Sequence, residues 1–69
     1  MRLTCDIELE ADGRWLAEIL ELPGVMAYGV DATQAIAAVK ALALRTIADR
    51  IENGEDPGAV DTVEFVRAA

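Results

Sequence analysis

Acidic side chains near the N-terminus are the first residues of this sequence whose type and spacing could do chemistry. Asp6, Glu8 and Glu10 occupy alternate positions, and Asp12 and Glu18 follow. Paired carboxylates can hold divalent metal ions for phosphoryl transfer. A solvent-facing strand shows the same alternation, however, whereas a catalytic pair needs a pocket that fixes its geometry. We therefore predict that these carboxylates form no metal site.

The possible nucleophiles of the chain lack a partner that would activate them. The sequence contains one cysteine and no histidine, so Cys5 has no imidazole base. A single thiol cannot form an internal disulfide or build a zinc site of the usual ligand types. The glycines form no phosphate-binding motif that ends in lysine. We predict a protein that is not an enzyme, with no catalytic residue, metal ion or cofactor.

Length and charge limit the classes of partner. The 69 residues allow one domain, 1–69, and a core this small gains stability from self-association, so we expect a homodimer or a higher homo-oligomer. Thirteen acidic against six basic residues give a net charge of -7, which repels nucleic acid and attracts basic surfaces. The N-terminus meets acidic residues at once, unlike a signal peptide or a membrane span. We expect a cytoplasmic protein that binds neither nucleic acid nor membrane directly.

The elements that must position these side chains begin with a hairpin. Residues 3–10 alternate between apolar and polar, which indicates a half-buried strand, and a second apolar run covers 15–22. A three-residue loop, 11–13, with Gly13 in the left-handed region, pairs Leu9 with Trp15 and keeps apolar residues on one face. This register predicts that Cys5 lies on the core side. Trp15 and Tyr28 are expected in the core or at the end of the hairpin.

A short third strand, a long helix and a last strand follow. Pro23 and Gly24 end the second strand, and residues 25–30 resume as the third. Asp31 with Gln34 resembles a capping box, which predicts a helix from 32 to about 53 that ends at Gly54. Its predicted buried face, widened by Leu44, consists of Ile36, Val39, Ala43, Ile47 and Ile51. After a turn at 55–58, residues 60–66 alternate again. The sequence predicts a two-layer α+β fold of order β-β-β-α-β, with an antiparallel sheet and one long helix on one face.

The outer face of that sheet is the predicted partner site. Exposed leucines among acids are typical of a protein-binding surface, although a plain solvated face is the alternative. The predicted partner-binding residues are Asp6, Glu8, Glu10, Leu16, Glu18 and Leu20.

Three motifs in this order resemble the HicB antitoxin family. Leu22-Pro23-Gly24 matches an L-P-G motif before the third strand. The segment from Gly29 to Ala35 resembles the family's helix opening, with Gln34 where acids are common, and 53–57 resembles the turn after the helix. The likeness covers most of the chain, but the C-terminal DNA-binding segment of many members has no counterpart up to Ala69.

The resemblance implies a fold and a function. HicB-like proteins have a partial ribonuclease-H-like fold that is similar to the double-stranded-RNA-binding fold of their partner. They bind and neutralise HicA, a small basic RNA-cleaving toxin, and need no active site for this. The likeness therefore implies an antitoxin with a basic HicA-like partner. The alternative is an oligomeric HicB-like binding or structural protein that has no toxin partner.

Overall fold

The computed structural model describes residues 1–55 and 60–68 of the chain. They form one four-stranded sheet and one helix, as the sequence predicts for a β-β-β-α-β fold. The elements, in chain order, are β1 (Arg2–Leu9), β2 (Trp15–Ile19), β3 (Met26–Gly29), α1 (Ala32–Glu52) and β4 (Glu64–Arg67). The predicted turn at 55–58 lies outside the described residues, apart from Glu55.

The first hairpin has the predicted register. Leu9 pairs with Trp15 and Cys5 with Ile19, and the loop is closed by the N–H of Gly13, which donates to the carbonyl of Glu10. Gly13 has a φ of 89°, a left-handed conformation that glycine adopts more easily than residues with a Cβ. Alternation then places Cys5 and Ile19 in the core and sends the even-numbered side chains of β1 to the opposite face.

The sheet is mixed, whereas the sequence analysis expected an antiparallel one. Its order is β3-β2-β1-β4, and β4 pairs parallel to β1. The reason is the direction of the chain. α1 carries the chain back across the sheet, so the strand after it points the same way as the strand before it. β4 is therefore parallel to β3, which is itself parallel to β1. β4 also starts later than the predicted position 60.

Both ends of α1 have the signals that the sequence predicts. The side chain of Asp31 accepts a hydrogen bond of 2.7 Å from the N–H of Gln34, whose own side chain accepts from the N–H of Val30. At the other end, the N–H of Gly54 donates to Ile51 and that of Glu55 to Arg50. This is a Schellman motif, which explains why Gly54 takes a φ of 75°.

The core lies between α1 and one face of the sheet. Leu3, Cys5, Ile19 and Val39 have the largest side chains that are fully buried. α1 lies closest to β3 and β2, and β1 contributes Leu3 and Cys5 to the same core. The predicted buried face of the helix is wrong at its edge, because Leu44 is 48% and Ile51 50% exposed. Ala35, which the prediction omits, is fully buried instead, so the buried stripe is rotated away from Leu44.

Candidate functional site

The face of the sheet opposite α1 carries no packed element among the described residues. Alternation along three neighbouring strands brings side chains of β1, β2 and β3 together on this outer face. Five of the six predicted partner-binding residues lie on it, in two cross-strand rows and the turn after β2. The outer face is therefore the first candidate for a functional surface.

Two acids lie side by side at the centre of the outer face. Asp6 in β1 is directly opposite Glu18 in β2. Opposed like charges destabilise a sheet. Among the described residues, neither carboxylate has a basic side chain within 4.0 Å. The ion pairs of that part of the chain join Arg2 to Glu64 and Arg14 to Asp12. Glu8, which is exposed, adds a third acid one row further along β1. This arrangement costs stability and leaves the centre of the face negative.

Apolar side chains flank the acids on the β3 side. Leu16 is opposite Glu8 and, on its other side, Tyr28, while Glu18 is opposite Met26. Leu20, in the turn after β2, is 52% exposed. Leu16, Leu20, Met26 and Tyr28 form what we call the apolar cluster. The cluster borders the acids on the β3 side, and Glu18 lies between Leu16 and Leu20 along the chain.

Met26 and Tyr28 were missed by the sequence analysis as residues of the outer face. Of the two places expected for Tyr28, the core and the end of the hairpin, the second fits, because its ring lies 4.1 Å from the guanidinium of Arg14. Tyr28 is 47% and Met26 41% exposed on the outer face. The signal was present, because Met26 and Tyr28 alternate with the buried Val25 and Gly29. In a strand of only four residues, the register with β2 is needed to decide which set faces the core.

Glu10 lies at a corner of the outer face that also holds a cation, Arg14. It follows the last residue of β1, and its N–H donates to the carbonyl of Arg14. The guanidinium of Arg14 lies 2.7 Å from a carboxylate oxygen of Asp12 and 4.1 Å from the centroid of the Tyr28 ring. Hydrogen bonds from Arg14 lower the pKa of Asp12. Glu10 is therefore a weaker candidate than Asp6, Glu8 or Glu18 for attracting a cation.

A sixth acid, Glu21, supports the opposite end of the face. Its two carboxylate oxygens accept hydrogen bonds of 2.6 Å from the hydroxyl and the N–H of Thr4. These bonds, that of the hydroxyl first, lower the pKa of Glu21. Because β2 has ended at Ile19, the carboxylate supplies the acceptor that a further strand residue would otherwise provide. Glu21 thus holds the turn that carries Leu20.

The small pocket on the other side of the sheet gives no sign of catalysis. It has a volume of about 40 Å³ and is lined by Cys5, Lys40, Phe65, Val66 and Arg67. This volume suits a few water molecules, whereas small-molecule sites take roughly 300 to 1,000 Å³. Burial raises the pKa of the Cys5 thiol, although the positive charges of Arg67 and Lys40 oppose the shift. The thiolate is therefore scarce at neutral pH.

Within 1–55 and 60–68, no three side chains of the metal-binding types cluster closely enough to share an ion. In that part of the chain, no helix combines the length and the apolar character that crossing a bilayer requires. The chemistry that the outer face can perform is association through negative charge and apolar contact. Comparison with protein families, with curated proteins and with solved structures finds no match for this chain.

Proposed function

We propose that this protein is a non-catalytic antitoxin that uses the outer face of its sheet to bind and neutralise a small basic RNA-cleaving protein of the HicA type in the cytoplasm. The observation that carries the proposal is the acidic pair, Asp6 and Glu18, beside the apolar cluster. Opposed carboxylates cost stability, so their position is better explained by a cationic partner than by folding. The net charge of -7 acts in the same direction at longer range.

The two parts of the face have different roles in binding. Acids at Asp6, Glu8 and Glu18 attract a basic protein and raise the rate of encounter, an effect that salt screens. The apolar cluster supplies contact area that loses its hydration only when the complex forms. These contacts hold the complex together, so they set the rate of dissociation. Tyr28 suits this role because aromatic residues are enriched at the centres of interfaces.

Neutralisation would follow from coverage of the partner. A ribonuclease needs a cationic surface to hold its substrate, since the RNA backbone is polyanionic. A protein that places carboxylates on that surface competes directly with RNA and needs no active site of its own. The proposal therefore concerns binding alone, and the antitoxin would be inert toward RNA.

The test is an RNA-cleavage assay with a purified HicA-like toxin. The preferred toxin is one whose gene lies beside the gene for this protein. Addition of the wild-type protein at equimolar ratio should abolish cleavage, and the protein alone should leave RNA intact. The variant Asp6→Asn with Glu8→Gln, checked for folding by circular dichroism, should require more protein for the same protection. Persistent cleavage at excess wild-type protein would reject the antitoxin function and leave an oligomeric protein without a toxin partner.

A further inference from the structure

The two outer strands of the sheet, β3 and β4, differ in how their free edges are protected. β3 is at one end of the order β3-β2-β1-β4, and no strand of the described residues lies beyond it. Proteins usually protect such edges with charged side chains, proline or bulges. Both strands are four residues long, but β4 begins with Glu64 and ends with Arg67, whereas β3 has neither a charged residue nor a proline. β3 is therefore the edge that is more open to another strand.

The hydrogen bonds of β2 determine which backbone groups of β3 point outward. The N–H of Ile19 donates to the carbonyl of Val25, so these two residues form a hydrogen-bonded pair. Bonded and non-bonded pairs alternate along an antiparallel ladder, and Met26 and Tyr28 occupy the non-bonded positions. Their N–H and C=O groups therefore point to the free edge. The next outward N–H, that of Val30, is already bonded to a side chain in the first turn of α1.

These four backbone groups match those of a second copy of the same strand. When two copies of β3 run antiparallel, Met26 of each can pair with Tyr28 of the other, which bonds all four groups of both strands. A two-fold axis then passes between the two Ala27 residues. On the outer face, the thioether of Met26 lies opposite the Tyr28 ring of the other copy, a contact that sulfur and aromatic groups favour. On the helix side, the residues that meet at the axis have only the small side chain of alanine.

The helices of the two copies fit side by side across this axis. α1 lies closest to β3 and β2. With strands about 4.8 Å apart, a helix axis between β3 and β2 places the two helices about 10 Å apart, close to the usual distance of packed helices. A Cβ on Gly29 would touch the backbone of Ala35, so the first turn of α1 lies over the end of β3. Ala27 is about 6.6 Å further back, or roughly four helical residues, so the two-fold axis passes α1 near residues 39–40.

Ala38 and Leu42 lie on the flank of α1 that faces the other helix. Lys40 marks the opposite flank, because its Nζ is 5.6 Å from the centroid of the Phe65 ring on β4. Residues two positions from Lys40 are turned by about 200° around the helix, which places Ala38 and Leu42 on the β3 side. Both are uncharged and only half-buried in the single chain. They precede and follow the level of the two-fold axis, so Ala38 of one copy meets Leu42 of the other.

Charge repulsion between two chains of net charge -7 is weak across this edge. Glu18 lies on the neighbouring strand, β2, and its two copies would be three strand spacings, about 14 Å, apart. The Debye length is about 8 Å in physiological salt, so this repulsion is largely screened. On the β3 flank of α1, Arg45 and Asp49 have opposite charges and add no net charge.

We propose that the free edge of β3 is a dimer interface, through which two copies join their four-stranded sheets into one sheet of eight strands. Both helices lie on the same side of this sheet. On the other side, the two apolar clusters meet at the two-fold axis, with one acidic pair beyond each of them. The dimer goes beyond the antitoxin function and does not depend on it, since its test needs only the protein itself.

Amide hydrogen exchange, followed by NMR at low and high micromolar concentration, tests the interface residue by residue. The N–H groups of Met26 and Tyr28 become bonded in the dimer, so their exchange should slow at least about tenfold as the concentration rises. Phe65 and Arg67 are the matched control on the other edge, because the N–H groups of their neighbours donate to β1 and their own point outward. Their exchange should stay fast. Sedimentation equilibrium of the same samples should approach twice the chain mass of 7.4 kDa.

Substitutions on the edge should weaken the dimer selectively. Tyr28→Pro removes an outward N–H but no bond to β2, and edge strands tolerate proline. It should raise the dimer dissociation constant at least about tenfold, because symmetry removes two hydrogen bonds. Met26→Lys places a charge on the edge and should have the same effect, also if the proline variant does not fold. Leu44→Lys, on the Lys40 flank of α1, is the control, with 48% exposure against 41% for Met26, and should leave the dimer unchanged.

Two results would overturn the proposal. A wild type that stays monomeric over the whole concentration range removes the dimer. A dimer in which the amides of Met26 and Tyr28 exchange as fast as those of Phe65 and Arg67, or which Leu44→Lys weakens as much as Met26→Lys does, joins through another surface. Neither result bears on the RNA-cleavage assay, so the failure of this proposal and the failure of the antitoxin function are distinguishable.

Discussion

Gly29→Ala is the substitution that tests most sharply how α1 is placed on the sheet. A Cβ at position 29 would lie 2.4 Å from the backbone nitrogen of Ala35 and 2.9 Å from its Cα. Both atoms belong to the first turn of α1, so no side-chain rotation can relieve the clash. Backbone atoms would have to move by about 1 Å to restore ordinary contact, and overpacking of this kind costs typically 1 to 3 kcal/mol.

The expected loss is large compared with the total stability. Domains have about 0.05 to 0.15 kcal/mol per residue, which for this chain is roughly 3 to 10 kcal/mol. Gly29 is not in the left-handed region, so alanine gains a little from lower chain entropy in the unfolded state. A net loss of about 2 kcal/mol remains, measured by urea denaturation followed by far-ultraviolet circular dichroism.

Gly13→Asn is the matched control for this prediction. No heavy atom lies within 4 Å of a Cβ at Gly13, and asparagine tolerates its left-handed conformation better than other residues do. The control should lose less than about 1 kcal/mol although it adds a larger side chain. If Gly29→Ala were as stable as the control, the first turn of α1 would not lie against β3.

Three further predictions concern single side chains. Glu18→Lys places an opposite charge beside Asp6 and should raise the free energy of unfolding by about 0.5 kcal/mol in urea titrations. The same change should slow association with a basic partner. A loss of stability would refute the repulsion that we assign to the acidic pair. The pKa of Glu21 is lower in the folded protein than in the unfolded chain. The bonds of Glu21 to Thr4 therefore add their full stability at pH values above the unfolded pKa, and this stability is lost as the pH falls through the folded pKa. Glu21→Gln should therefore flatten the acid side of the stability profile measured by urea titration at a series of pH values, and an unchanged profile would contradict the assignment. Cys5, buried with a raised pKa, should react with a thiol reagent only at the rate of unfolding, and rapid labelling of the native protein would show that the thiol is accessible.

The hairpin and the ends of the helix were predictable because their signals are local. The loop at 11–13, together with the alternation on both sides, leaves one register that keeps Cys5 and Ile19 on the same face. Asp31, Gln34 and Gly54 act on backbone groups within a few residues of themselves. Such interactions depend little on the rest of the fold, so the sequence is sufficient.

The errors lie where distant elements decide the outcome. The direction of β4 depends on how the whole chain returns past α1, and nothing within residues 60–66 encodes it. The sequence analysis assigned Leu44 to the buried face of α1 and left Tyr28 between the core and the end of the hairpin, because burial is the default for such side chains. Their exposure becomes visible only when the register of β3 and the rotation of α1 are known. Tyr28 now belongs to the outer face, for which we propose a partner.

The central claim is that the outer face of the sheet, and not the helix side, binds a basic protein. The most direct measurement is the binding kinetics of a HicA-like toxin with the wild type, Leu20→Lys and Leu44→Lys at several salt concentrations. We predict that Leu20→Lys raises the dissociation rate at least about tenfold, because it places a cation in the apolar cluster, while Leu44→Lys leaves the rate unchanged. The reverse pattern, or equal rates in all three proteins, would contradict the account.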